Sequence, residues 1–246
     1  MNVFARFLRW LEDLPPVFCI PRALPPLPGL RVRQYDVADF EACLRLYEEN
    51  EPGRFPPNTA PLYADHLNKT EGMTLVLEQD GKIVGVGGIS LKPDPAVSLC
   101  CWLSFGLIAP AHHRRGLGTV LLLARIARLP ADLLPVPAFL MAVKSSRSFY
   151  ERFGFRLFCK EVLEAKLAGY LVTRVPPEAV EEARACLRAS GVEMSVGGSV
   201  RPASPRAPAE SPEPLTAEYL GVRWLQGDRR STFISQWRPD APGSGG

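Results

Sequence analysis

An α/β fold, in the α+β sense of a mixed and mostly antiparallel sheet with helices on both faces, is what the sequence predicts. Three observations lead there. From residue 30 to residue 195, short apolar runs alternating with period two interleave with runs at helical spacing. Two pairs of the strand-like runs stand close enough to be antiparallel hairpins, the first around the turn Asp80-Gly81. One run, VSLCCWLSFGLIA (97–109), is apolar without a break, as a central strand covered on both faces must be.

In chain order, LRVRQYD (30–36) alternates as a strand. Asp36 then stands where a helix cap belongs, ahead of Phe40, Cys43, Leu44 and Tyr47 at helical spacing. The Pro/Gly stretch from Pro52 to Pro61 is expected to end that helix, leaving a loop from Glu48 to Arg54, and LYADHLNK (62–69) to form a second short one. MTLVLEQ (73–79) and KIVGVGGISL (82–91) make the first hairpin, and the central strand 97–109 is closed by Pro110. A glycine-rich turn opens into the helix GTVLLLARIARL (118–129), which Pro130 stops. AFLMAV (138–143) reads as a buried strand, and SSRSFYERF (145–153) as a helix ending at Gly154, a residue suited to a left-handed cap. FRLFCKEV (155–162) and AGYLVTRV (168–175) form the second hairpin, and Pro176-Pro177 starts the helix EAVEEARACLRAS (178–190).

The 25 prolines in 246 residues are unevenly placed, ten before residue 62 and five between 202 and 214, and they mark the divisions of the chain. Residues 1–29 are expected to be an amphipathic helix with Phe4, Phe7, Leu8 and Leu11 on one stripe, followed by a proline-rich strap. Arg6, Arg9, Glu12 and Asp13 interrupt that stripe, so no signal peptide or stable membrane insertion is expected, and docking on the chain's own domain is preferred to lying on a membrane surface. The main domain is expected over 30–175, an added helix and short strand over 176–195, and a disordered Pro/Ser/Ala linker over 196–217. Residues 218–246 hold Tyr219, Trp224, Phe233, Ile234 and Trp237 around Gly227-Asp228, a hairpin that adds to the domain's own sheet or to a partner's. The first is preferred, and a homodimer stays open.

Composition excludes other classes. Lys plus Arg number 29 against 26 for Asp plus Glu, and a net charge of +3 is too small for a protein that coats nucleic acid. Six cysteines without a C-x-x-C spacing and only three histidines give no metal site. Cysteines scattered through apolar runs fit reduced thiols in a cytoplasmic protein.

The chemistry lies in IAPAHHRRGLGTVLL (108–122), where a buried strand ends, a loop turns and a helix starts on Gly-x-Gly. Gly116 and Gly118 let backbone amides approach a phosphate, the first helical turn points unpaired N–H groups at the same spot, and Arg114 and Arg115 add charge. A dinucleotide fold would place a third glycine where Leu121 stands.

This segment resembles the pyrophosphate loop of the GNAT superfamily of N-acetyltransferases, Arg/Gln-x-x-Gly-x-Gly/Ala, with His113 in the first position and Gly116 and Gly118 in the others. Residues 146–155, SRSFYERFGF, resemble the family's second motif, a helix ending in Tyr-x-x-x-Gly-Phe, through Tyr150, Gly154 and Phe155; Val143 stands where that motif often has Asn. The likeness covers about residues 30–175, in the family's element order. It implies transfer of an acetyl group from acetyl-CoA, the cosubstrate, to a primary amine by direct attack, with no metal. It implies that His113, Arg114, Arg115, Gly116, Leu117, Gly118, Thr119 and Ser146 hold the cofactor. Leu107 and Ile108 would offer backbone groups to pantetheine and an N–H to the oxyanion, and Tyr150 would protonate the departing thiolate.

The central strand carries no acid to act as general base. Glu48, Glu49 and Glu51 read first as a solvated helix end and second as the lining of a site for a cationic amine; His66 reads as a packed or surface residue, with a base as the alternative. A catalytically weak, acyl-CoA-binding regulator or an interaction protein working through residues 218–238 are the competing functions.

Overall fold

The computed structural model describes residues 18–20, 22–55, 59–68, 72–94, 98–163 and 166–202. The N-terminal helix, the linker beyond 202 and the C-terminal hairpin expected from the sequence lie outside these residues. Eight strands form one sheet: β1 (Leu30–Gln34), β2 (Met73–Gln79), β3 (Lys82–Asp94), β4 (Ser98–Ile108), β5 (Val136–Val143), β6 (Arg156–Leu163), β7 (Lys166–Val175) and β8 (Glu193–Ser195). Their order is β6-β7-β5-β4-β3-β2-β1-β8. The β4–β5 and β1–β8 pairs are parallel and the rest antiparallel, the mixed sheet that the hairpins require.

Five helices complete the domain: α1 (Phe40–Arg54), α2 (Ala60–Asn68), α3 (Leu117–Ile126), α4 (Lys144–Glu151) and α5 (Pro177–Ala189). A turn of 3-10 helix at Val37–Asp39 leads into α1, and its capping box uses Asp36 as the sequence predicts: Ala38 N–H donates to Asp36 at 2.9 Å and Asp36 N–H to Asp39 at 2.8 Å. The Arg33 guanidinium grips the Asp39 carboxylate at 2.6 and 2.8 Å and Glu78 at 2.7 Å, which ties the start of α1 to β1 and β2 and holds the Asp39 carboxyl below the usual range.

The sheet has a core on each face. Leu121, Leu122, Leu123 and Ile126 of α3 and Val180, Ala183 and Leu187 of α5 belong to the larger one, with Cys101 and Leu103 of β4. At roughly 1.5–3 kcal/mol per buried Leu or Ile side chain, this stripe is what seats α3 on the sheet. Cys43, Leu46 and Tyr47 of α1 and Tyr63 and Leu67 of α2 close the other face over Val76, Val86 and Leu107.

The structure differs from expectation in three places. Glu48, Glu49 and Glu51 stand in α1, not in a loop, because the helix carries Pro52 in its final turn and runs to Arg54. The proline-rich strap is part of the domain and not a tether to it: Phe18 is buried against Phe153 and Phe155, and the N–H groups of Phe18, Cys19 and Leu27 donate to Arg174, Phe153 and Ser190 at 3.2, 3.3 and 2.8 Å. Ordered chain continues past 195, where composition starts a disordered linker. Val200 is buried, its N–H donates to Arg128 at 2.9 Å, and Arg128 returns a bond to the Val196 carbonyl at 2.8 Å.

Two features of β4 shape the site. Its pairing with β5 covers only Cys101–Leu103 against Ala138–Leu140, so from Ser104 to Ile108 the two strands part and leave a gap in the sheet. Next to the gap a bulge interrupts the β3 pairing: Val86 faces Leu107 and Gly88 faces Ser104, so Gly87 alone opposes Phe105 and Gly106. Phe105 takes the extra residue's strain at φ 42°. Its ring joins Ser104 on the α1/α2 face, while Gly106 turns to the α3/α4 face.

Candidate active site at the open end of β4

The loop after β4 makes a short 3-10 turn at Pro110–His112, passes through Arg114 at φ 61° and enters α3 at Gly116, φ 87°. Val120 N–H makes the first intrahelical bond, to the Gly116 carbonyl at 3.0 Å. The N–H groups of Leu117, Gly118 and Thr119 therefore precede the ladder, at the positive end of the helix dipole. Arg114 and Arg115 are exposed beside them. A turn of this kind is built to receive an anion. Leu117 contributes backbone only, since its side chain is buried in the core.

His113 has a different place from the rest of the loop. Its Nε2 lies 2.8 Å from the Ile108 carbonyl oxygen, inside the turn. Asn50, buried on α1, donates to the same oxygen at 3.2 Å and to Leu46 at 2.8 Å. The end of β4 is thus fixed from the loop and from α1, and the exposed cations of the turn are Arg114 and Arg115.

Backbone alternation decides what Leu107 and Ile108 offer. Ala109 N–H donates to Val84 at 2.9 Å, which makes Gly85–Ile108 a non-hydrogen-bonded pair and Val86–Leu107 a bonded one. Leu107 spends its backbone groups on β3 and its side chain on the α1/α2 core. The N–H of Ile108 points into the gap, and its carbonyl is already taken.

Tyr150 stands across that gap on α4, its ring edge-on to Phe149 at 4.9 Å and to Phe155 at 5.8 Å. A Cβ on Gly106 would sit 3.3 Å from the Tyr150 hydroxyl and 3.2 Å from Nη2 of Arg125. A Cβ here would make both of them give by a few tenths of an ångström, so glycine suits the position. Phe149, one residue earlier, packs over Gly118 and joins α4 to the start of α3. Ser146 donates to the Val143 carbonyl at 3.1 Å and so secures the β5–α4 junction.

On the opposite face, His66 reaches over the sheet. Its Nε2 lies 3.5 Å from both Thr74 Oγ1 and Ser104 Oγ, and its ring packs on Phe105 at 5.0 Å. A Cβ on Gly88 would come within 2.5 Å of Nε2. Gly88→Ala is expected to cost about 1–3 kcal/mol by overpacking and to displace His66, which thermal unfolding reads directly. Glu48 and Glu49 are exposed on α1 and Glu51 half-buried.

Residues 40–155 match the family model described as the acetyltransferase (GNAT) family. The matched stretch is a little under half of the chain, and over it the chain is similar to the GNAT acetyltransferases. The fold is shared with an acetyltransferase of the GNAT family from Desulfovibrio desulfuricans, at a TM-score of 0.51 and 18% identity over 60% of this chain and 99% of that one. A GNAT acetyltransferase from Streptococcus pneumoniae is similar at a TM-score of 0.46 and 17% identity, over 59% and 99% of the two chains. Arabidopsis thaliana Naa50, in complex with the bisubstrate analogue CoA-Ac-MVNAL, reaches 0.48 and 14% over 59% and 98%. No curated protein sequence matches the chain.

Among the described residues, no three His, Cys, Asp or Glu side chains come together as a metal site, and no helix is long and apolar enough to cross a membrane. Cys19, Cys43, Cys100, Cys101 and Cys186 are free thiols, and burial pushes the Cys43 thiol up to about 12. Sequence reasoning missed Gly88, Gly106 and Arg125, and grouped Asn50 with Glu48, Glu49 and Glu51 at the acceptor side, whereas it donates to the Ile108 carbonyl. Arg125 had a signal: it is the single charge within the apolar run 120–127, four residues after Leu121 and so on the buried stripe.

Proposed function

We propose that this enzyme transfers the acetyl group of acetyl-CoA to a primary amine of a small molecule or protein, by direct attack of the neutral amine on the thioester carbonyl. One observation carries the reading: the unpaired N–H groups at the start of α3, the Ile108 N–H and the Tyr150 hydroxyl converge on the gap where β4 leaves β5. Acetyl-CoA supplies the activated acyl group. The N–H groups of Leu117, Gly118 and Thr119, with Arg114 and Arg115, hold its pyrophosphate; the Ile108 N–H donates to pantetheine or to the carbonyl oxygen as charge develops there. Tyr150 gives its proton to the departing sulfur. The amine approaches from the α1/α2 face, where His66 is the nearest ring nitrogen to the bulge and a candidate to take the amine's proton. Free buried thiols fit a cytoplasmic enzyme.

The test is release of free CoA thiol from acetyl-CoA across a panel of small primary amines and short peptides with free N-termini. Amine-dependent release is expected. Binding of acetyl-CoA without release for any amine would favour the regulator, a reading that draws on His113 being turned inward and on a β4 strand without an acid.

A further inference from the structure

Arg125 is buried in the middle of α3, 2% exposed, and makes no ion pair among the described residues. Its Nε donates to the Leu121 carbonyl of its own helix at 3.3 Å, and its guanidinium lies beside the Tyr150 hydroxyl: Nη2 and that oxygen stand 3.2 and 3.3 Å from where a Cβ on Gly106 would be. A Cβ on Gly106 would stand a tight 3.2 Å from one guanidinium nitrogen, and one on Gly87 an ordinary 3.4 Å from the other. A charge taken out of water without a carboxylate beside it costs folding free energy, and a Leu or Met of similar length would fill the site without that cost. Cys101, the other titratable group near Arg125, is held neutral by burial. On α4, Arg147 and Glu151 are turned to each other at 2.6 Å.

We infer that Arg125 is a positioning residue for the transfer: it fixes the Tyr150 hydroxyl at the gap and stabilises the negative charge that oxygen acquires when its proton leaves. The inference rests on the proposed acid role of Tyr150. In the step concerned the carbon–sulfur bond breaks and its electron pair goes to sulfur. The Tyr150 proton goes to the same sulfur, and the O–H pair stays on the phenol oxygen, facing the guanidinium. The proton shed by the acetylated amine leaves to solvent by way of His66, and solvent returns one to Tyr150. Because the guanidinium is already in place before reaction, no dipole has to reorganise to meet the new charge.

A double-mutant cycle tests this, with acetyl-CoA and the fastest amine of the panel above. Arg125→Met is expected to lower kcat about 10- to 100-fold, the fold-change equivalent of one charge-assisted hydrogen bond, with the KM for acetyl-CoA little changed and Tm equal or higher. In a Tyr150→Phe background the same substitution is expected to cost no further activity. Arg125→Lys, which keeps a charge, should regain part of the loss. Equal losses in both backgrounds, or a lower Tm that accompanies the loss, would show Arg125 to be ordinary framework and overturn the inference while leaving the acid role of Tyr150 standing. Full activity of Tyr150→Phe alone overturns both, as does a panel in which no amine turns over.

Discussion

Tyr150→Phe is expected to lower amine-dependent turnover about 10²- to 10⁴-fold, the usual contribution of a positioned general acid, with acetyl-CoA binding nearly unchanged. The substitution removes one oxygen and leaves the ring between Phe149 and Phe155, so α4 and the start of α3 keep their packing. It also removes the hydroxyl that stands beside the buried Arg125 guanidinium, which should cost about 1–3 kcal/mol. The expected variant is therefore folded, somewhat less stable, able to bind acetyl-CoA and slow. Steady-state kinetics beside thermal unfolding separate these quantities. Unchanged kcat would take Tyr150 out of the chemistry.

Acetyl-CoA at a hundred times its Kd should stabilise the wild-type chain by about 2.7 kcal/mol and raise Tm by roughly 5–10 °C. Gly118→Glu should abolish that shift. A carboxylate in the first turn suits the helix dipole, and a Cβ there meets Phe149 at an ordinary 3.4 Å, so the variant folds. The same carboxylate stands among the N–H groups that would receive pyrophosphate and repels it. A shift of equal size in wild type and variant would place the anion elsewhere.

Much of this arrangement was legible in the sequence because local chemistry specified it. Turn residues at Asp80-Gly81 and Gly154, prolines at 110 and 130, and the unbroken apolar run of β4 fix elements whatever surrounds them. The glycine-rich turn was legible for the same reason: a strand end, a left-handed residue and a helix start are all local. What stayed hidden depends on partners distant in sequence. His113 turns inward because Ile108 and Asn50, from another element, present an oxygen to share. The bulge at Phe105 exists only against Gly87, and no pattern within β4 announces it. Residues 196–202 read as linker because their composition offers little to bury, yet Arg128 supplies the bonds that hold them.

The strap bears on how the site is completed. Leu24 and Pro25 lie 3.7 Å from where a Cβ of Gly116 would be, and the strap that carries them is pinned to Phe153, Arg174 and Ser190. The earliest described segment of the chain thus docks on the latest elements of the domain, and β1 is likewise flanked by β8. Such contacts close a loop of well over a hundred residues, the slow and entropically expensive kind. During synthesis the strap gains its last anchor, Ser190, only after α5 has emerged, so the outer wall of the turn at Gly116 is the last part to be set. A chain cut short of Ser190 would keep both glycine motifs and lack the surface against which the first of them stands.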